Sequence, residues 1–502
     1  MRNVTGRGCP LSSSAPGKKV GFEHMRKTVL VLASVALTIV ILSGAYSCGA
    51  PVAAQASPAK PNFVFILADD MRYDDLKYMP KTTALLEDRG MRFDKAFVSY
   101  ALCCPSRATI LRGQYSHNTG VWSNGNRGDP AGGWQAFKNN GLEQDNIATQ
   151  LQGAGYRTGL FGKYFNFYDG SAEPPGWDDW FATFKAGDSQ AKYFDYDVND
   201  NGTIRHYDMR ESDYNTDVIS AQTQDFIEAS VTRGEPFFAY VGARAPHGPA
   251  KPAPRDAHTF DGEMAPRLAS FNEENVSDKP PWIQALPSLT TTDIANIDAR
   301  HENRVETLQA LDDLVEAVVG KLSSAGVLDN TYIFFTSDNG WHHGEHRIPK
   351  SKAYPYEEDI HMPLLVRGPL MRAGSASDKL VLNTDFFPTF TDLGGVQTPA
   401  YVDGRSLRPV LEGGATSWRS AVLLEQRKGS ESDAGFSGIR TSGGRKYIEY
   451  NNGFRELYDS STDPYEENNS YNASARPADL EKRLQTLKSC AGTTCQAAED
   501  GP

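Results

Sequence analysis

Five short apolar runs, four of them leading into chemically capable polar groups, restrict the folding of this chain more than any other feature. Asn62-Phe63-Val64-Phe65-Ile66-Leu67-Ala68 has strand length and ends in Asp69-Asp70. Residues 156–161 run into Gly162-Lys163, and residues 237–241 lead to Pro246-His247-Gly248-Pro249. Residues 332–336 end in Asp338-Asn339-Gly340, and residues 363–366 form a fifth run. Continuous apolar runs suit strands covered on both faces. Amphipathic stretches separate them, the clearest placing Val305, Leu308, Leu311, Val315, Val318 and Leu322 at helical spacing. Strands alternating with helices predict an α/β fold: a large, mostly parallel sheet flanked by helices. Ligands of open α/β sheets bind beyond the carboxyl ends of the strands. Asp69, Asp70, Lys163, His247, Asp338 and Asn339 are therefore expected to converge, although most of the chain separates them.

The texture changes near Trp418. Short runs at 421–424, 438–440, 446–450 and 456–458 alternate with turn signals at Gly443-Gly444 and Asn451-Asn452-Gly453. Leu480, Leu484 and Leu487 then mark a helix. We read three parts: 1–56 a signal peptide and N-terminal extension, 57–417 the catalytic domain, and 418–502 a smaller antiparallel sheet with a terminal helix. In the first part, Arg26-Lys27 precede an apolar run from Thr28 to Leu42, and Ala54-Gln55-Ala56 offers a small-x-small cleavage site. The expected location is secreted, cell-surface or periplasmic, with an uncleaved membrane anchor extended through Ala45 and a lipid anchor on Cys48 as the rivals. Residues 251–300 and 124–134 carry little periodicity and are expected to rim a pocket.

One stretch carries the densest chemistry: Leu102-Cys103-Cys104-Pro105-Ser106-Arg107-Ala108-Thr109-Ile110-Leu111-Arg112-Gly113. Pro105 suits the first position of a helix. Cys103 then lies just before it, where free N–H groups favour an anion, and Arg107 adds a positive fork. A buried structural cysteine at a loop–helix join is the bland alternative. The order Cys103-x-Pro105-Ser106-Arg107 with Leu111-x-Gly113, continued by Gln114-Tyr115-Ser116-His117-Asn118, resembles the sulfatase signature. The doubled cysteine and the segments around it are most similar to the N-acetylglucosamine-6-sulfatase and extracellular endosulfatase branch.

That resemblance implies the alkaline-phosphatase-like two-part architecture and oxidation of Cys103 to formylglycine by a formylglycine-generating enzyme. The hydrated aldehyde would attack sulfur. The residues themselves already favour a metal: Asp69, Asp70, Asp338 and Asn339 are hard oxygen donors, paired at the ends of two buried strands, and suit Ca²⁺ or, less well, Mg²⁺. The resemblance maps these four onto calcium ligands, with residue 103 beside the ion. It makes Lys163 and Lys352 the cations that neutralise sulfate, Arg107 the holder of the formylglycine environment, and His247 the proton donor to the leaving alcohol. Arylsulfatases carry a histidine two residues after the first lysine, where this chain has Phe165. His342, His343 and Asn166 are candidates for the missing base or hydrogen-bonding role, and His117 for contact with substrate or the formylglycine helix.

The formal net charge of −12 gives no basic field for nucleic acid, while a local cationic pocket for an anionic ester stays open. Cys490 and Cys495 are close enough to pair, which suits an oxidising compartment. The expected activity is calcium-dependent release of sulfate from a sulfated sugar, with the 6-position of N-acetylglucosamine indicated by branch resemblance. An aryl sulfate, phosphate or phosphonate ester hydrolase using the same site, and a non-catalytic sulfated-glycan binding protein, remain alternatives. Oligomeric state has no signal in the sequence.

Overall fold

The computed structural model describes residues 60–125, 132–188, 192–369, 371–427 and 435–501. The leader and Cys48 readings, and part of the 124–134 stretch, lie outside these residues. A ten-stranded sheet dominates the molecule. In chain order its strands are β1 (Asn62–Ala68), β2 (Met91–Phe93), β3 (Arg157–Lys163), β4 (Asp179–Phe184), β5 (Tyr196–Asp200), β6 (Thr203–Tyr207), β7 (Phe237–Gly242), β8 (Thr331–Ser337), β9 (Leu364–Arg367) and β10 (Ser375–Ser377). Their spatial order is β10-β2-β9-β8-β1-β7-β3-β4-β5-β6. The central run from β8 to β4 is parallel, whereas β9 and β5 run against their neighbours.

The continuous apolar runs have a direct explanation in β1, whose seven residues are all buried. Phe63, Phe65 and Leu67 point into one core, with Phe386 and Phe390 of helix α4 (Phe386–Leu393). Val64, Ile66 and Ala68 point into the opposite core, with Phe226 of α2 (Asn215–Arg233) and Val305, Leu308 and Leu311 of α3 (Thr291–Ser324). Both faces are dry, so no alternation with polar residues survives.

Two elements differ from the sequence reading. Helix α3 begins at Thr291, well ahead of the apolar stripe at Val305. Its first turns expose Thr291, Thr292, Ala295, Asn296 and Ala299 instead of an apolar stripe, and Thr290 starts it with a capping box: its hydroxyl accepts from Asp293 N at 3.2 Å, and Asp293 Oδ2 accepts from Thr290 N at 2.9 Å. The apolar-run pattern does not predict the β5–β6 hairpin. Its signal was Asn201-Gly202, whose φ angles of 48° and 82° supply the two left-handed positions of a tight hairpin turn.

The smaller sheet is a four-stranded antiparallel meander: β11 (Ala421–Gln426), β12 (Phe436–Thr441), β13 (Arg445–Tyr450) and β14 (Arg455–Asp459). Helix α5 (Ala478–Leu487) packs its Leu480, Leu484 and Leu487 into the core of this sheet. Glu456 of β14 is fully buried and accepts hydrogen bonds from Tyr356 (3.0 Å), Tyr450 (2.6 Å) and Tyr458 (2.6 Å). Tyr356 belongs to the connection that carries Lys352, so the small sheet braces that connection.

Candidate active site

The site grows from strand register. β1 and β8 are parallel neighbours, with Leu67 opposite Thr336 and Ala68 opposite Ser337. Their next residues therefore emerge side by side, and both pairs, Asp69-Asp70 and Asp338-Asn339, are fully buried. Asp70 N donates to Asp338 Oδ1 at 3.1 Å, and Asn339 Nδ2 donates to Asp70 Oδ1 at 2.6 Å. Asp70 adopts φ of 67°, a left-handed conformation that costs a non-glycine residue ~1 kcal/mol. Hydrogen bonds hold it there: Met71 N donates to Ser337 Oγ at 2.9 Å, and Arg304 donates to Asp70 O.

Helix α1 (Cys103–Arg112) delivers the cysteine. It starts two residues earlier than the Pro105-first reading, so Pro105 sits inside the first turn. That turn has no intrahelical use for its N–H groups, and the proline costs nothing there. The helix ends at Gly113, φ 64°, where a Cβ would lie 2.8 Å from Val402. Cys103 Sγ lies 3.3 Å from Asp69 Oδ1, 3.9 Å from Asp70 Oδ1 and 2.9 Å from Lys352 Nζ. Lys163, the last residue of β3, donates to Asp69 Oδ2 at 2.6 Å, and Lys352 donates to Asp70 Oδ1. Arg107, wholly buried, reaches Asp338 Oδ2 with Nε at 2.8 Å and the Lys163 carbonyl with Nη1 at 3.0 Å. His247 brings Nε2 to 3.6 Å from Asp70 Oδ2. Its Nδ1 lies 2.5 Å from Gly248 O, and a carbonyl there demands the N–H on Nδ1. Nε2 is thus the nitrogen left to face the site.

Three carboxylates and three strong bases share this dry space, and their titration follows. Burial works against the Asp69 and Asp70 carboxylates, yet Lys163 beside the first, Lys352 beside the second and His247 beside both hold them below the usual range. Asp338 goes the other way: burial and the nearby Asp69 raise it to about 6 against the pull of Arg107. Burial pushes the Cys103 thiol well up and His247 down to about 3.

Not every expected residue joins the cluster. His117, expected at substrate or the formylglycine helix, is instead enclosed by the small sheet and the C-terminal tail. Its Nδ1 meets Glu425 at 3.0 Å and its Nε2 meets the Cys490 carbonyl at 2.9 Å, so both ring nitrogens are taken. His342 and His343, expected as base candidates, are also displaced. His342 Nδ1 is bound to Asp359 at 2.7 Å, and His343 stacks edge-on against His301, where burial and the charges of Arg72 and Arg304 hold its imidazole well below the usual range. Both are fully buried in the wall behind the site. Asn166 lies under α1, its backbone N donating to Cys104 Sγ at 3.2 Å rather than its side chain reaching residue 103. Phe165 packs on Phe137, ring centroids 4.7 Å apart.

Arg304 is the residue that the sequence reading missed. Fully enclosed on α3, it donates to Asp70 O and, at 3.0 Å, to Pro246 O. It thereby ties the aspartate pair to the His247 loop. Its signal was a charged residue beside Val305, within an apolar stripe. Cys490 and Cys495 are joined as a disulfide.

A family model described as Sulfatase matches residues 61–396, and one described as N-sulphoglucosamine sulphohydrolase, C-terminal, matches residues 344–490. The N-acetylglucosamine-6-sulfatase of Homo sapiens is 38% identical over 407 residues, covering 78% of this chain and 71% of that protein. The extracellular sulfatase SULF-1 homolog of Drosophila melanogaster is 37% identical over 385 residues, which are 74% of this chain. The chain spans 33% of that protein and 52% of its putative Caenorhabditis elegans counterpart. A solved structure, a complex with its substrate D-glucosamine-2-N,6-O-disulfate, superposes with a TM-score of 0.71 at 26% identity, covering 88% of this chain and 99% of that one.

Proposed function

The chain belongs to the sulfatase family, enzymes that hydrolyse sulfate esters, and on that premise we propose a calcium-dependent sulfatase that acts on a sulfated sugar through formylglycine at position 103. The observation that carries this reading is the convergence of Cys103, Asp69, Asp70, Lys163, Lys352 and His247 at the carboxyl ends of three adjacent strands and a helix start. N-acetylglucosamine 6-sulfate is the proposed substrate unit, on the likeness to the human 6-sulfatase. Residues 57–417 would carry the chemistry, and residues 418–502 would brace it.

The donor set fits a hard cation. Asp70 Oδ2 and Asn339 Oδ1 are buried with no hydrogen-bond partner, which is costly unless something else meets them. Asp69, Asp70, Asp338 and Asn339 would hold Ca²⁺, which when bound supplies Lewis-acid polarisation of an ester oxygen. Formylglycine at 103 would supply a hydrated aldehyde oxygen as nucleophile. The other steps belong to this chain's own side chains. Lys163 and Lys352 place ammonium groups on the anionic ester oxygens. Arg107 fixes Asp338 and the backbone of Lys163. His247, with Nδ1 tied to Gly248 O, gives a proton from Nε2 to the leaving alcohol. Burial favours neutral His247 in the free protein, and an anionic ester beside it favours the imidazolium, so Nε2 takes up its proton from solvent as substrate binds.

A location outside the cytoplasm accords with the extracellular relatives and with the Cys490–Cys495 disulfide. Mass spectrometry of the Cys103 peptide, from protein made in its natural host, tests the nucleophile. An aldehyde is expected, and Cys103→Ala should abolish sulfate release with unchanged circular dichroism. A thiol in all of a fully active sample would overturn the mechanism. Matched aryl sulfate and aryl phosphate diester rates test the ester class, with sulfate expected to be faster.

A further inference from the structure

A second concavity opens on the rim of the sheet that carries Cys103. It encloses about 430 Å³, at the low end of the ~300–1,000 Å³ usual for small-molecule sites. Lys192, Tyr193 and Phe194 enter from the connection after β4, Pro249 and Lys251 from the loop after β7, and Met209 from the segment after β6. Strands β4 and β7 are both parallel to β3, and β6 runs the same way through two antiparallel steps. The concavity therefore lies beyond carboxyl ends of strands, as the Cys103 cluster does.

Its back wall is the His247 loop. The Tyr193 hydroxyl donates to His247 O at 3.0 Å, and Pro249 lies two residues from His247. Tyr193 and Phe194 form a buried aromatic floor, while Met209, 60% exposed, forms an apolar lip. Two ammonium groups flank this floor. Lys251 Nζ lies 4.9 Å from the Phe194 ring centroid. Lys192 pairs with Asp188 at 3.3 Å, with about half of each side chain exposed; such a pair is worth under ~1 kcal/mol and yields readily to another anion. The acid of the lining, Asp195, is held by Lys185 at 2.7 Å.

We propose that this concavity is a second sugar subsite, which takes an anionic sugar unit linked to the unit whose sulfate ester is hydrolysed. The proposal rests on the sulfatase reading above, because His247 is there the donor to the leaving oxygen. The leaving oxygen belongs to the sugar, so the sugar lies on the His247 side of the ester, the side whose loop walls the concavity. The aromatic floor and apolar lip suit the C–H faces of a pyranose, and the two lysines suit a carboxylate or a further sulfate.

The test uses the mature full-length protein and three probes: N-acetylglucosamine 6-sulfate, the same unit linked through C1 to glucose, and the same unit linked through C1 to glucuronate. In the Lys192→Ala/Lys251→Ala double variant, KM for the glucuronate conjugate should rise about tenfold, with kcat for it and both constants for the other two probes unchanged. Equal losses on all three probes, or no loss, would overturn the subsite. Should the wild-type protein release sulfate from none of them, the N-acetylglucosamine 6-sulfate reading has failed, and the subsite is judged by calorimetry on Cys103→Ala protein. Binding of the glucuronate conjugate that weakens about tenfold in the double variant then supports it. Absent binding, or binding indifferent to the two lysines, overturns it.

Discussion

Arg107 shows how single residues set the stakes at this site. Its guanidinium is wholly buried and bonded to Asp338, and its Nη2 lies 3.9 Å from Asp69 with no hydrogen-bond partner. Arg107→Gln would leave Asp338 beside Asp69 without its bonded counter-charge, and breaking a buried pair from one side costs about 3–5 kcal/mol. The urea midpoint of the variant should fall accordingly. Arg107→Lys should recover less than half of the loss, because a point charge cannot reach both Asp338 and the Lys163 carbonyl. A Gln variant within about 1 kcal/mol of wild type would refute this account. The polar residues that converge here were legible from sequence because strand ends dictate where they emerge. The histidines were not: His117 has both ring nitrogens bonded, His342 has Nδ1 bonded to Asp359, and His343 is buried edge-on against His301 with neither ring nitrogen hydrogen-bonded, so only tertiary packing separates them from His247.

At the level of elements, the central strands could be read because both of their faces are buried, which leaves an unbroken apolar signature. The β5–β6 hairpin escaped because β5 is short and broken by aspartates and β6 extends the sheet into solvent. Ile204 of β6 is 54% exposed, and its pattern is that of a surface ribbon. The long segment before α3, expected as a pocket rim, supplies Lys251 to the second concavity and is bonded farther along to the connection after β8. Asn272 N donates to Gly344 O at 2.8 Å, and His346 N donates to Ser270 O at 2.8 Å. Glu273 fastens the same junction, 2.7 Å from His346 Nδ1 and 3.4 Å from Lys279 Nζ. Burial, only partly offset by Lys279, raises its carboxyl from 4.5 to about 7. Between those values the folded chain keeps a proton that the unfolded chain has released. The contribution of Glu273 is therefore complete below pH 4.5 and is lost as pH rises to about 7, at no more than about 1.4 kcal/mol per pH unit for one proton. Glu273→Gln cannot ionise, so its stability should fall less than that of wild type between pH 5 and pH 8 in urea titrations. Parallel declines would show that the junction does not titrate in this range.

The two halves of the large sheet are fastened at the point where the proposed chemistry lies. Asp69 and Asp70 lie some 270 residues from Asp338 and Asn339 in sequence, yet register makes them neighbours. A cation held by all four would bridge the two central strands, β1 and β8, whose faces line both large cores. Binding of this kind belongs to the native state alone, because the unfolded chain scatters the donors. Its stabilisation follows RT ln(1 + [L]/Kd), about 2.7 kcal/mol at a hundredfold excess over Kd. Protein stripped by a chelator should therefore lose sulfatase activity and melt at a lower temperature, and added Ca²⁺ should restore both. Asn339→Ala should blunt the thermal shift by removing one oxygen donor, while leaving the melting point of stripped protein within a few degrees of wild type. Mg²⁺ at equal concentration should shift the transition less, because it demands a tighter octahedron than this broad set of carboxylate and amide oxygens offers. A stripped protein that melts at the same temperature with and without Ca²⁺ would remove the ion from this site. The lysine–aspartate contacts would then be the working form of the pocket, with Lys163 and Lys352 permanently committed to carboxylates and unavailable to an anionic ester. Calcium binding and sulfate binding thus stand or fall together: a divalent charge at the aspartates is what would release the two ammonium groups for substrate.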